Sequence, residues 1–182
     1  MKKLSALLTQ EAVRGLVAGD TVLLSGTIYT GRDAAHKKLV ALLDAGQKLP
    51  MELRDRIIYF VGPCPAPPGR PIGSAGPTTS YRMDPYSPKL IAKTGLRGMI
   101  GKGDRSPEVV EAMKKYGAVY FAATGGAGAL IARQIRKCEV VAFPELGPEA
   151  VCRLEVEDLP LIVAIDSFGN SLYHRSGKPH IG

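Results

Sequence analysis

Tryptophan is absent from this sequence, and aromatic residues make up only 6% of its 182 residues. Surfaces that bind nucleic acid usually combine basic charge with stacking aromatic side chains or long arginine-rich runs. Here no run of basic residues exceeds two, although Lys and Arg outnumber Asp and Glu by 24 to 17. The excess positive charge therefore indicates an anionic partner other than nucleic acid, and charge alone does not choose between an acidic lipid and a small carboxylate.

Long apolar runs and close cysteine pairs are also missing. The basic segment Met1–Leu4 is not followed by an apolar stretch of signal-peptide length, and no later stretch is long enough to span a membrane. The three cysteines, Cys64, Cys138 and Cys152, are widely spaced and form no C-x-x-C pair. We therefore expect a soluble cytoplasmic protein that binds no metal through residues of this chain.

The sequence does contain enough apolar side chains, 45% of the total, to bury a core. Its length suits one domain over residues 1–182, and no linker or internal repeat divides it. Strands alternate with helices at first and dominate the last third, which predicts an α/β fold with a mixed sheet.

Local patterns predict where these elements lie. Helices are expected at 11–16, from a Thr30 N-cap to Gly46, from a Ser106 N-cap to Gly117, and from the 124–129 turn to Lys137. Strands are expected at 21–25, 56–61, 97–100, 118–123, 139–143, 151–157, 161–166 and 171–173, with a turn at 158–160. The glycine-rich turn before residue 129 lacks the phosphate-binding patterns, and the Pro-rich segment at 62–71 is expected to be a loop.

Three basic residues lie where a predicted strand gives way to a turn or helix. Arg32 follows Thr30-Gly31, Arg82 follows a Thr-Thr-Ser segment, and Lys102 stands between two glycines. Each alone would be an ordinary surface charge, but loops at strand ends are where sheet proteins usually hold ligands. Two arginines can each bind a carboxylate bidentately, so the set indicates a site for a small polycarboxylate.

Four further residues adjoin these cations. Thr78 lies four residues before Arg82, so a helix would put both on one face. Spacing alone favours Thr78 and Thr79 as helix caps, since a catalytic hydroxyl would need its alkoxide stabilised. Asp33 and His36 fall in the first two turns of a predicted helix, and we expect both of them and Thr79 to support the site without contacting the ligand.

Five segments, taken together, resemble the β subunit of class I iron–sulfur fumarate hydratase. They are Gly26–Lys37, Gly73–Asp84, Gly101–Gly103, Glu145–Gly147 and Asp166–Asn170. They occur in family order, and the resemblance runs from about Gly19 to Tyr173. The β subunit of L-tartrate dehydratase shares much of the pattern, although the segment 30–36 is closer to the fumarase version.

The resemblance implies a swivelling β/β/α domain and a hydro-lyase of the tricarboxylic acid cycle, which interconverts fumarate and L-malate. It implies a hetero-oligomer, active only with a larger α subunit whose three cysteines hold a [4Fe-4S] cluster. Arg32, Arg82 and Lys102 match substrate-binding cations of the family. Thr78 matches the hydroxyl that acts as base on the malate proton, and its acid–base partner is expected on the larger subunit.

Two other functions stay open from the sequence. The chain could serve L-tartrate dehydratase, since the two families share their motifs. It could instead be a non-catalytic anion-binding module, since it is small and carries no recognisable cluster motif. Association with a larger iron–sulfur subunit would favour the enzyme over the anion-binding module.

Overall fold

The computed structural model describes residues 1–63, 66–123 and 128–174. In these ranges the chain forms seven strands and five α-helices. They are β1 (Lys2–Ser5), α1 (Gln10–Arg14), β2 (Thr21–Thr30), α2 (Asp33–Asp44), β3 (Ile57–Tyr59), α3 (Ser87–Thr94), β4 (Gly98–Gly101), α4 (Pro107–Tyr116), β5 (Val119–Ala123), α5 (Gly128–Ala132), β6 (Ile135–Ala142) and β7 (Val151–Ile165). Two short 3₁₀ helices span Ser80–Met83 and Pro144–Glu149.

The strands form one mixed sheet in the order β1-β2-β3-β4-β5-β7-β6. Strands β1 to β5 pair in parallel, whereas β7 runs antiparallel to β2, β5 and β6. Because β7 pairs with both β5 and β2, the strands β2, β3, β4, β5 and β7 close into a barrel. The α/β prediction with a mixed sheet is confirmed, while a single domain over 1–182 stays a prediction.

The barrel separates two hydrophobic clusters, and alternate residues of each strand enter different ones. On β3 and just beyond it, Ile57 and Tyr59 belong to one cluster, and Ile58 and Phe60 to the other. The second cluster includes apolar residues of three helices, namely Leu39, Leu90, Ile91, Val109 and Met113. Helices α2, α3 and α4 therefore cover that face of the sheet, and the loops before them lie where parallel strands end.

Helix α4 illustrates a boundary that the sequence predicts well. The Ser106 side chain accepts a hydrogen bond from the Val109 N–H at 3.4 Å, and Pro107 occupies the first helical position. Gly117 ends the helix in the left-handed region at φ 78°. These contacts are local in sequence, so both ends of α4 are recognisable without knowledge of the fold.

The prediction of a turn at 158–160 is wrong, because β7 continues through it as one strand. Asp158 adopts a positive φ of 50°, and Pro160 lies opposite Leu23 of β2. On the other edge of β7, pairing with β6 ends at Val156 and pairing with β5 begins at Leu161. Pro160 thus lies in the gap between the two partners, where its missing N–H removes no hydrogen bond to either.

Other boundaries differ from the predictions as well. Helix α5 ends at Ala132, and residues expected to be helical up to Lys137 join β6, because pairing with β7 overrides local propensity. Residues 171–173 make only an isolated bridge, from Ser171 to Ile165. Strand β1 and helix α3 were not predicted. The turn at 124–127 lies outside the described residues, and no helix in the described ranges is long and apolar enough to cross a membrane.

Candidate functional site

The end of β2 and the start of α2 place Arg32. Thr30 is the last residue of β2, and its Oγ1 accepts a hydrogen bond from the Cys152 N–H at 2.9 Å. The prediction that Thr30 caps α2 is therefore wrong, because its side-chain oxygen already accepts a hydrogen bond from β7. Arg32 occupies the N-cap position in an extended conformation and makes no side-chain cap.

The Arg32 side chain lies against the main chain of Gly62. A Cβ at Gly62 would lie 3.1 Å from Arg32 Cδ and from the Pro148 carbonyl oxygen, and 3.3 Å from Arg32 Nη1, so a larger residue there would crowd the Arg32 side chain. Arg32 Nε is buried and has no hydrogen-bond partner within the described part of the chain. Arg32 as a whole is only partly buried, so the rest of its guanidinium is suited to bind an anion.

Asp33 joins α2 to the 3₁₀ helix that carries Arg82. The Arg82 Nε donates to Asp33 Oδ2 at 3.0 Å, and both side chains are partly exposed. The other oxygen, Asp33 Oδ1, is buried and has no partner among the described residues. Two of the predicted cations, Arg32 and Arg82, are thus carried by adjoining segments.

The segment Thr78–Ser80 runs beside Lys102, directly after β4. Thr79 forms a parallel bridge with Lys102, and the Ser80 N–H donates to the Lys102 carbonyl at 2.9 Å. The Thr78 N–H donates to the Phe60 carbonyl at 2.6 Å, just beyond β3. The fold therefore brings the threonines and the lysine, which are far apart in sequence, to one edge of the sheet.

Gly101 permits this close approach. A Cβ at Gly101 would lie 1.9 Å from Ser80 Oγ and 2.8 Å from Phe60 Cδ2, distances that real side chains do not reach. Gly103 on the other side of Lys102 adopts φ 86°, in the left-handed region. Both glycines that flank Lys102 are thus required by the geometry of the loop.

The predicted helix cap at Thr78 or Thr79 is wrong. The helix is a 3₁₀ helix that begins only at Ser80, and Thr79 at its N-cap position makes no side-chain cap. Thr78 precedes the helix, so the expected shared helix face with Arg82 does not exist. Sequence spacing failed here because pairing with Lys102 keeps residues 78–79 extended.

His36 braces the turn that holds Arg32. Its ring is buried, its Nδ1 lies 2.8 Å from the Arg32 carbonyl, and it packs edge-on against Phe60 at 5.3 Å. Burial lowers the pKa of His36 to about 4, so the ring is neutral at neutral pH and its Nδ1–H donates to the carbonyl. This contact makes His36 a supporting residue for the Arg32 main chain.

A buried arginine that sequence analysis missed lies behind the site. The Arg105 side chain has no exposed surface, and its Nε donates to Asp84 Oδ1 at 2.7 Å. Its guanidinium lies between the rings of Phe60 and Tyr120, 5.1 and 4.9 Å from their centroids. These partners are 15 or more residues away in sequence, so no local pattern distinguished Arg105 from a surface charge.

The other two motif segments anchor loops. The Asp166 carboxylate is fully buried and accepts hydrogen bonds from the N–H groups of Ala18, Phe168 and Asn170, each at 3.0 Å. Glu145 is exposed and accepts from Lys38 of α2 at 2.7 Å. Neither contact involves Thr78, Lys102 or Arg82.

The described cysteines lie on the β6–β7 hairpin. A hydrogen bond to Cys152 and partial burial raise the pKa of the Cys138 thiol, which keeps it protonated. Cys64 lies outside the described residues. Among the residues with described positions, no group of three or more His, Cys, Asp or Glu side chains could hold a metal ion.

A family model described as "Fumarase C-terminus" matches residues 2–176. The protein named "Fumarate hydratase class I, anaerobic" of Escherichia coli (strain K12) is 43% identical over 176 residues, which are 96% of this chain and 31% of that protein. "Fumarate hydratase 2" of Leishmania major is 40% identical over 159 residues, 87% of this chain and 28% of that protein.

A relative of similar length also matches. The "Putative L(+)-tartrate dehydratase subunit beta" of Methanocaldococcus jannaschii is 43% identical over 176 residues, 94% of this chain and 90% of that protein. The chain therefore spans less than a third of these fumarate hydratases but nearly all of the tartrate dehydratase subunit.

Proposed function

The chain belongs to the Fumarase C-terminus family, and from that premise we propose that it is the β subunit of a class I fumarate hydratase. It supplies one half of an active site that hydrates fumarate to L-malate, and a larger α subunit supplies the other half. The length of the relatives supports this division, because the same unit forms part of longer fumarate hydratases and nearly all of a separate β subunit. The complex is a cytoplasmic hetero-oligomer in this proposal.

The observation that carries the proposal is that Thr79 pairs with Lys102, while Arg82, three residues after Thr79, forms an ion pair with Asp33. The bridge aligns the Thr78 segment with Lys102. The ion pair connects Arg82 to α2, the helix that follows Arg32. Fumarate and malate each carry two carboxylates. Two arginines that bind them bidentately and one lysine that adds a point charge match that ligand.

Thr78 acts as the base in the dehydration direction. Its Oγ1 takes the proton from the malate carbon next to one carboxylate, and negative charge builds on that carboxylate. Arg82 and Lys102 stabilise this charge, which is greater in the transition state than in the bound substrate. In the hydration direction the same proton returns from Thr78 to carbon.

A threonine hydroxyl is a weak base, so Thr78 needs a group that takes its own proton. We assign that role to a carboxylate of the larger subunit. We also assign the [4Fe-4S] cluster to the larger subunit, because the described residues of this chain offer no set of three metal ligands. When bound there, the cluster would supply a Lewis-acidic iron to the malate hydroxyl that leaves as hydroxide.

L-tartrate dehydration is the second candidate, and the match to a β subunit of that name over most of its length favours it. Tartrate carries the same two carboxylates with one more hydroxyl, so the same cations would bind it. The cations of this chain do not distinguish the two substrates.

The test is anaerobic purification of the chain with its larger subunit, followed by assays of both reactions. The complex should hydrate fumarate, and the isolated chain should be inactive. Substantial turnover by the isolated chain would contradict the proposed division. Dehydration of L-tartrate without fumarate hydration would establish the second candidate. Binding of a dicarboxylate without turnover of either substrate would identify the chain as an anion-binding module.

A further inference from the structure

Lys102 lies on a loop whose own side chains do little to hold it in place. Lys102 and Gly103 are exposed, and the glycines on both sides contribute no side chain that could pack against the sheet. Gly103 has no Cβ, so it also has more backbone conformations to lose on folding than other residues. The position of the Lys102 ammonium must therefore be fixed by contacts from neighbouring segments.

Tyr120 of β5 provides such a contact. Its Oη lies 2.7 Å from the Gly103 carbonyl and 2.6 Å from Ser80 Oγ. Each hydroxyl has one hydrogen, and a carbonyl only accepts. Tyr120 therefore donates to Gly103, and Ser80 donates to Tyr120. One hydroxyl thus connects the Lys102 loop to the Thr78–Ser80 segment.

The Tyr120 ring is itself held in the core. It is fully buried, and Tyr120 pairs with Met99 of β4. Its face packs against the Arg105 guanidinium, which the ion pair with Asp84 fixes in turn. Burial raises the pKa of Tyr120 above its ordinary value, so the hydroxyl keeps its hydrogen at neutral pH.

We propose that Tyr120 is a positioning residue, whose hydroxyl fixes the Lys102 loop relative to Thr78 and so sets where the Lys102 ammonium meets the substrate. The second half of this inference rests on the proposed function, because it requires that Lys102 binds substrate. The first half does not, since the anchoring of the loop is a property of the chain alone. The two halves have separate tests.

Hydrogen exchange of the full chain tests the anchoring. The Ser80 N–H donates to the Lys102 carbonyl, so its exchange rate reports how often the loop leaves its place. Tyr120→Phe removes both hydrogen bonds of this hydroxyl, and loss of the bond that holds Gly103 should speed Ser80 exchange by about 5- to 10-fold. The Phe60 N–H, which donates to Ile100 of β4, should exchange at its wild-type rate.

Tyr59→Phe is the matched control. Tyr59 is also a buried sheet tyrosine, and its hydroxyl donates to the Ala75 carbonyl. This variant should also lower the free energy of unfolding, while the Ser80 N–H stays protected. Unchanged Ser80 exchange in Tyr120→Phe, or equal acceleration in both variants, would overturn the anchoring role whatever the chain catalyses.

A double-mutant cycle in the complex with the larger subunit tests the link to Lys102. Tyr120→Phe should lower kcat/KM by about 5- to 10-fold, and it should cause little further loss in a Lys102→Ala background. If the losses of kcat/KM from the two single variants multiply in the double variant, Tyr120 acts independently of Lys102 and the inference is overturned. If the wild-type complex turns over no dicarboxylate, the proposed function fails, and Ser80 exchange still decides the anchoring.

Discussion

Arg82 donates from its Nε to Asp33 Oδ2 over 3.0 Å, which links the 3₁₀ helix to the first turn of α2. Because the remaining guanidinium nitrogens of Arg82 are not engaged by Asp33, they can bind a carboxylate. The pair therefore orients Arg82 and leaves it able to bind substrate.

Asp33→Asn should lower kcat/KM of the complex by about tenfold, because Arg82 loses a charged partner that fixes its direction. The free energy of unfolding should change by less than about 1 kcal/mol, since the pair is partly exposed. Asp44→Asn, which removes the exposed partner of Lys89 from the same helix, is the control and should leave activity unchanged. Equal kcat/KM values in the two variants would show that Asp33 does not contribute to the site.

Thr78→Val should lower kcat by about 10²- to 10⁴-fold, the contribution usual for a general base. Thr78→Ser keeps the hydroxyl and should retain most of the activity. Thr94→Val, which removes a hydroxyl bonded to Leu90 on α3, controls for the loss of a threonine hydroxyl elsewhere. A Thr78→Val complex with near wild-type kcat would mean that another group takes the malate proton.

His36 makes the stability of the chain depend on pH. The unfolded chain binds a proton to this histidine near pH 6.5, whereas burial holds the folded pKa at about 4. Between these values the unfolded state binds more protons, so stability falls as the pH falls. From pH 7 to pH 5 the loss attributable to His36 should be about 2 kcal/mol.

Urea unfolding at several pH values measures this effect. His36→Gln should flatten the slope between pH 6.5 and pH 4, even if it lowers stability at pH 7. A wild-type slope in His36→Gln would contradict the buried neutral state.

The sequence indicates the segments of the candidate site whose signals are contiguous, and the roles of their residues stay predictions. The segments around Arg32 and Lys102 each combine a predicted strand end, small residues and a basic side chain within a few positions, and the segment around Thr78 combines small residues with two threonines. Parallel pairing of β2, β3 and β4 then brings these strand ends to one edge. The role of Thr78 came from family resemblance, because spacing alone suggested a helix cap that does not exist.

Long-range contacts account for what the sequence did not predict. Nothing in the local sequence distinguishes Arg105 or Tyr120 from ordinary residues. In the fold, Arg105 packs against two aromatic rings, and the Tyr120 hydroxyl donates to the Gly103 carbonyl. Pro160 favours a turn in the sequence, because the gap between its two strand partners is visible only in the sheet.

The cysteines of this chain should hold no iron. Three thiols would suffice for an open-iron cluster, but Cys152 is buried and Cys138 is partly buried beside it on the hairpin. Iron and sulfide analysis of the anaerobically purified chain should find neither in stoichiometric amount. Replacing Cys64, Cys138 and Cys152 by Ala or Ser should leave the complex largely active. Loss of its cluster without loss of folding would assign the iron to this subunit.

The most direct measurement compares activity with stability in Arg82→Ala and Lys102→Ala. Each variant is combined with the larger subunit, and kcat/KM for fumarate is measured beside the melting temperature of the chain. Both residues are exposed, so kcat/KM should fall by about 10²-fold or more while melting changes little. Lys89→Ala, at another exposed lysine, should keep both values. Parallel losses of activity and melting temperature, or wild-type activity in both variants, would contradict a substrate-binding role for these cations.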